Sequence, residues 1–302
     1  METVDPRMPG APGWALPSGA CDCHAHVFGP YERFGFTHPT PYAPPLAPPS
    51  LHREMLRRVG ASHGVLIQPG AYGTDPSALL AALQEANGAL RGIAAATGSV
   101  SESTLADWDG SGVRGLRFVE MLAPAGTGRY PGSIGTEELE ALARLLRGLG
   151  WHAEVWATVD QHVALLPWLR ASGVPVVLDH LAGIAPGRTV KDPAFQTVLD
   201  AVREGWLWIK LTLCRASREY PDYPDLRPFH DALIEAAPER LVWGSDWPHV
   251  RMGAQAPDVG HLLDLFGEWV RDPGLRARIL VHNPAALYGL ECATISKKEE
   301  RV

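Results

Sequence analysis

Two patterns alternate along most of this chain: short runs of consecutive apolar, β-branched-rich residues, and longer stretches with apolar positions three or four apart. The first is the pattern of strands buried on both faces, the second that of helices with one buried face. Eight strand candidates begin near Cys21, His63, Gly92, Val113, His152, Pro175, Trp206 and Leu241. Helical patterns intervene over 76–87, 136–149, 161–171, 194–204, 226–236 and 259–270, with a last one around 275–280. Strands alternating with helices imply parallel βαβ units. Eight of them in 302 residues predict an α/β fold, a single (β/α)8 TIM barrel with long loops over its C-terminal face. The expected organisation is a flexible arm over 1–17, the barrel domain over 18–292 and a charged tail over 293–302.

Two stretches break the repeat. Residues 30–49, PYERFGFTHPTPYAPPLAPP, hold too much proline for a regular helix and predict a loop across the barrel mouth. Residues 121–135, MLAPAGTGRYPGSIG, predict a second long loop after the fourth strand. Loops of that length in a compact domain tend to be functional or disordered.

Composition narrows the function. Hydrophobic residues make up 46% of the chain and charged residues 20%, an ordinary globular balance. A net charge of −7 with no basic run argues against a nucleic-acid partner and for a small solute. No stretch approaches the roughly 18 apolar residues of a membrane span, and METVDPRMPGAPGWALPSGA lacks the apolar run of a secretory signal. Four cysteines do not make a disulfide framework, so the expected compartment is reducing, the cytosol. Oligomeric state is not legible.

Chemistry concentrates at strand ends. His24 and His26 in CDCHAHVFGP, His180 in PVVLDHLAG and Asp246 in LVWGSDWPH each follow an apolar run, where parallel barrel strands deliver side chains to an active face. Period-two alternation predicts Asp22, His24 and His26 inward, with Cys21, Cys23 and Ala25 outward. A zinc knuckle built on CxCH would need those groups to converge from a loop, and a strand separates them. Three imidazoles and one carboxylate form a plausible site for one zinc or manganese ion with a position left for water. Without a metal, Asp246 alone must act as base, and the electrophile must already be reactive, as in a ring lactone.

The motifs DCHAHVFGP, GVRGLRF, GWHAEVWA, VVLDHLAG, LVWGSDWPH and HNPAALYGL together resemble the amidohydrolase-2 branch of the amidohydrolase superfamily. Within it the chain is similar to 2-pyrone-4,6-dicarboxylate lactonases, sulfomuconolactone hydrolases and sugar-acid lactonases. The resemblance implies that His24, His26, His180 and Asp246 surround the reacting carbonyl. In that reading the aspartate takes a proton from water, and the histidines either hold one divalent metal or polarise the carbonyl directly. The binuclear version of the superfamily site is excluded, because strand four ends GLRF, strand five ends VWAT and His152 lies at the opposite end of its strand.

Substrate contacts follow from residue type. Alternation turns Val113, Gly115 and Arg117 inward, and a guanidinium there matches a carboxylate in bidentate fashion. In the resembled lactonases a second arginine follows six residues later and a serine falls at the position of Gly70; this chain has Ala123 and Gly70. Arg129, Arg215 and Arg218 are candidate replacement cations, with a plain surface role as the alternative for each. Trp156, Tyr72 and His249 are candidate substrate contacts, with packing and loop capping as alternatives. Glu154 and Lys210, inward on strands five and seven, predict a structural internal ion pair. His38, His52, His162, His230 and His261 read as solvated or structural.

The expected activity is hydrolysis of a small carboxylated lactone. Two alternatives carry different chemistry. A metal-dependent decarboxylase of an unsaturated or aromatic acid would protonate carbon, but its relatives tend to open with ExH where this chain has HxH. A binding protein without catalysis would not need all four strand-end groups.

Overall fold

The computed structural model describes residues 5–124, 126 and 128–291; the expected tail, 293–302, lies outside them. Eight parallel strands run in the order of the sequence: β1 Cys21–Ala25, β2 His63–Ile67, β3 Leu90–Ala94, β4 Val113–Val119, β5 His152–Trp156, β6 Val176–Leu178, β7 Leu207–Leu211 and β8 Leu241–Trp243. Backbone bonds from Asp246 N to His24 O (2.8 Å) and from His26 N to Trp247 O (2.8 Å) join the last strand's extension to the first. The same bonds that close the barrel therefore seat three chemical residues side by side. Gly244 makes this approach possible, since a Cβ there would stand 2.6 Å from that of His24.

The helices match the amphipathic stretches to within a few residues at each end, as in Ser77–Glu85, Leu139–Leu149, Val159–Ala171, Pro193–Arg203 and Val259–Trp269. Thr158 and Gln161 cap one of them reciprocally, Thr158 Oγ1 accepting from Gln161 N and Gln161 Oε1 from Thr158 N. Two further helices carry weaker signals. Pro49–Val59 buries His52, Met55, Leu56 and Val59 at helical spacing, but follows directly on the proline-rich loop. Glu102–Gly110 buries only Leu105 and Trp108. No described helix is long and apolar enough to cross a membrane. Residues 5–17 lie along helix Val259–Trp269, with Gly13 N on Asp264 Oδ1 (2.6 Å) and Trp14 Nε1 on Leu263 O (3.1 Å).

The barrel interior corrects one expectation. Cys21 and Cys23 belong to the inner cluster with Val65, Ile67, Ile93, Val177, Trp208 and Val242, while Ala25 packs with the outer core. Asp22 turns away to accept from Ser245 N (2.8 Å) and Ser245 Oγ (2.5 Å). The reason is a register shift between Asp22 and Ala25, where two residues of β1 oppose one of β2. Such a bulge resets alternation, so Cys23 and His24 both reach the interior. A similar shift opposite β3 leaves Val113 in the outer core while Gly115 and Arg117 keep the inner phase.

Candidate active site

Above the inner cluster sits a layer of charge. Lys210 Nζ donates to Glu154 Oε2 (2.6 Å), the predicted ion pair, and both side chains are fully buried. Tyr288 adds a bond to Glu154 Oε1 (3.2 Å) from below. On the active side Lys210 Nζ also lies 3.2 Å from His24 Nδ1 and 3.4 Å from Asp179 Oδ1. Asp179 was not singled out in the sequence, yet it ties the site together. It receives Arg117 Nε (3.2 Å) and Nη2 (3.0 Å) on Oδ2, and its Oδ1 lies 3.3 Å from His24 Nδ1. Burial alone would raise its pKa, but Lys210, His24 and Arg117 hold it well below the usual carboxylate range.

Asp246 is the centre of the next layer. Its Oδ1 stands 3.5 Å from His24 Nε2 and 3.5 Å from His26 Nε2, while Arg215 Nε grips Oδ2 at 2.5 Å. Burial opposes its charge, but Arg215 and the imidazoles outweigh that and keep it ionised. His180 completes the group, its ring centroid 4.8 Å from that of His24. Burial depresses the pKa of His180 to about 4 and that of His24 well below normal, so both are neutral near pH 7.

Backbone strain marks the same residues. His180, Leu181 and Ala182 take φ of 50°, 50° and 56°, and Asp246, His249 and Arg251 take 64°, 58° and 69°. Left-handed backbone at non-glycine residues costs on the order of 1–3 kcal/mol each and clusters where function requires it.

His26 has a tautomer set by geometry. Its Nδ1 lies 2.8 Å from Ile67 O, and a carbonyl can only accept, so Nδ1 carries hydrogen. In the neutral ring Nε2 then turns a lone pair toward the Asp246 carboxylate. Two acceptors facing each other call for a cation between them. Nitrogen and oxygen ligands at 2.0–2.1 Å from a tetrahedral ion sit about 3.3 Å apart, close to the 3.5 Å found from Asp246 Oδ1 to each imidazole. His24 Nε2, buried and without a hydrogen-bond partner, is available as the third donor. The group His24, His26 and Asp246 therefore fits one divalent ion, and a second group joins His24, Asp179 and His180. Among the described residues the expected four ligands do not form one set; His24 is shared between two triads.

A solvent-open cleft of about 780 Å³ leads to this floor, walled by the loops over 30–49 and 121–135. Arg117, Trp156 and Arg215 line it, as do Tyr42, Tyr130 and Arg251. Trp156 stacks on Tyr130 at 5.3 Å between ring centroids. Four expected substrate contacts lie elsewhere. Tyr72 is buried and its hydroxyl accepts from Gly29 N (2.9 Å), anchoring the proline-rich loop. His249 is buried and its Nε2 donates to Ser245 O (3.1 Å), the capping role. Arg129 is held by Glu120 and Glu137, and Arg218 is exposed outside the cleft. Arg117, expected to anchor a substrate acid, already has its carboxylate in Asp179. At Gly70 a Cβ would meet Ser133 Oγ at 3.0 Å and Pro131 O at 3.1 Å, so the facing loop packs closely on this glycine.

Comparison with known proteins places this geometry. The profile of the family described as Amidohydrolase matches residues 21–290. The chain is similar to a 4-sulfomuconolactone hydrolase of Rhizobium radiobacter, 34% identical over 289 residues and covering 94% of this chain and 95% of that protein. It is 29% identical over 290 residues to a 2-pyrone-4,6-dicarboxylate hydrolase of Comamonas testosteroni, covering 93% of each. An apo structure from Agrobacterium tumefaciens superimposes with a TM-score of 0.81 at 27% identity, over 94% of this chain and 98% of that one.

Proposed function

Because the chain belongs to the amidohydrolase family, as the match over residues 21–290 establishes, we propose that it hydrolyses a small lactone bearing an anionic group. The relatives named for lactone hydrolysis support the reaction class. The observation that carries the mechanism is the position of Asp246: ionised, strained, held by Arg215 on one oxygen and presenting the other between two imidazoles at the floor of the cleft.

A lactone carbonyl entering the cleft meets His26 and His180, with His24 buried directly behind them. Asp246 Oδ1 takes a proton from water as its oxygen attacks the carbonyl carbon. The ring C–O bond then breaks, and the carboxyl of Asp246 returns that proton to the departing ring oxygen, leaving a ring-opened acid. A divalent ion held by His24, His26 and Asp246 supplies, when bound, a more acidic water and a more polarised carbonyl. His24 must then keep its Nε2 lone pair, with the Nδ1 proton directed to Asp179. In the other arrangement Nδ1 accepts from Lys210, and Nε2–H is left to donate to Asp246 or the carbonyl. Trp156, stacked on Tyr130 and with the Arg117 guanidinium carbon 5.3 Å from its ring centroid, forms part of the cleft wall against which a ring would rest.

Turnover of a panel of carboxylated lactones tests the reading. Asp246→Asn keeps the shape and removes the base, so kcat should fall by about 10²–10⁴. Near-normal turnover by that variant on every substrate found would overturn the assignment.

A further inference from the structure

We propose that Arg251 is the residue that holds the substrate's anionic group and so decides which lactones are accepted. This rests on the reading of the cleft as a lactone-hydrolysing site. Of the arginines at or near the mouth, Arg117 is bonded twice to Asp179, Arg215 is held by Asp246 and by Val250 O (2.8 Å), and Arg129 sits between two glutamates. A guanidinium that already faces an internal carboxylate has little net attraction left for another. Arg251 lines the cleft, and among the described residues no carboxylate lies within ion-pair distance of it.

Its side chain is exposed at the mouth but lies against an aromatic ring. The guanidinium carbon lies 5.1 Å from the centroid of the Tyr130 ring, and Tyr130 stacks in turn on Trp156. A guanidinium over an aromatic face keeps N–H groups that can fork a carboxylate or sulfonate. The backbone of Arg251 is held at φ 69°, a strained conformation five residues beyond Asp246 in the same loop. Tyr42, from the proline-rich loop, lines the same wall. Burial pushes its pKa up to about 12 in spite of Arg251, Arg117 and Arg215, so its hydroxyl remains a donor. Cation, hydroxyl and flat aromatic wall together describe a seat for an anionic, planar or ring-shaped molecule, with Arg251 supplying the charge that Ala123 does not.

Calorimetric binding of citrate and succinate, with succinamide as the uncharged comparison, tests this without requiring turnover. Arg251→Gln should weaken both anions by about 10- to 100-fold, the worth of a charge-assisted hydrogen bond, and leave succinamide unchanged. Arg218→Gln should change nothing, and Arg251→Lys should recover only part of the loss, because the fork is gone. In kinetics, KM for a carboxylated lactone should rise by a similar factor in Arg251→Gln with kcat within a few-fold, and an uncharged lactone should not respond. Wild-type anion affinity in a folded Arg251→Gln protein overturns the proposal, as does an absence of anion binding by the wild type. If Arg251-dependent anion binding holds while no lactone is opened, the anion seat stands and the lactone reading falls.

Discussion

At the scale of single residues, the site is a contest for lone pairs and protons. His26 donates to Ile67 O and turns its free nitrogen to Asp246, so a cation between them relieves two facing acceptors. The expected consequence is one zinc or manganese per chain in freshly purified protein, measured by elemental analysis, with content lost in His26→Ala and activity restored by adding ion after chelation. Full activity in metal-free protein would contradict it. Asp179 is the other residue on which the centre depends, since Arg117, Lys210 and His24 all face it. Asp179→Ala leaves buried Arg117 without a counter-charge and Lys210 with Glu154 alone, and should cost about 3–5 kcal/mol of stability, read by denaturant unfolding. A loss under 1 kcal/mol would mean that Glu154 alone compensates.

At the scale of elements, strand ends were legible and strand irregularities were not. Apolar runs and their helical partners mark all eight strands, because a parallel barrel buries every strand on both faces. Alternation phased on His24 and His26 turns both inward, as found, but misplaces Asp22, Cys21 and Cys23 and says nothing of His180. His24 enters through the β1 bulge, and His180 enters beside the inward-phase Asp179 because the backbone turns left-handed from 180 to 182. Asp179 itself lies two residues past the inward Val177 and could have been found by alternation alone. The loop cations were the least legible. Which of Arg117, Arg129, Arg215, Arg218 and Arg251 keeps a free charge depends on carboxylates far away in sequence, such as Asp179 and Asp246. The β1–β8 closure yields its own prediction: Gly244→Ala places a methyl group against His24. Its kcat/KM should fall by about 100-fold, the scale of a 1 Å misplacement, and more steeply than its melting temperature. An active Gly244→Ala enzyme would show that His24 has room to move.

At the scale of the whole molecule, three histidines outside the site are buried in apolar surroundings. Burial lowers the pKa of His52 and His230 to about 3 and that of His162 to about 4. Each is neutral in the fold and protonates near pH 6.5 once unfolded. Their stability is therefore fully present above pH 6.5 and is lost as pH falls toward 4, by about 2 kcal/mol per group at pH 5. Asp22, raised to about 6 by burial, works the other way but is one group against three. Melting temperature should drop between pH 7.5 and 5, and His230→Phe, which keeps the contacts with Phe266 and Trp269, should shallow that slope. A flat profile would contradict the assignment of these rings as buried and neutral.

The proposed reaction turns on one step, transfer of a water-derived oxygen to a lactone carbonyl with Asp246 as base. Turnover of a carboxylated lactone in ¹⁸O-water, followed by mass spectrometry of the product for the wild type and Asp246→Asn, tests that step directly. One labelled oxygen in the new carboxyl group, formed by the wild type and formed at least about 100-fold more slowly by the variant, is the predicted result. A product formed with release of carbon dioxide or with no label, or labelled product formed by Asp246→Asn at the wild-type rate, would contradict it.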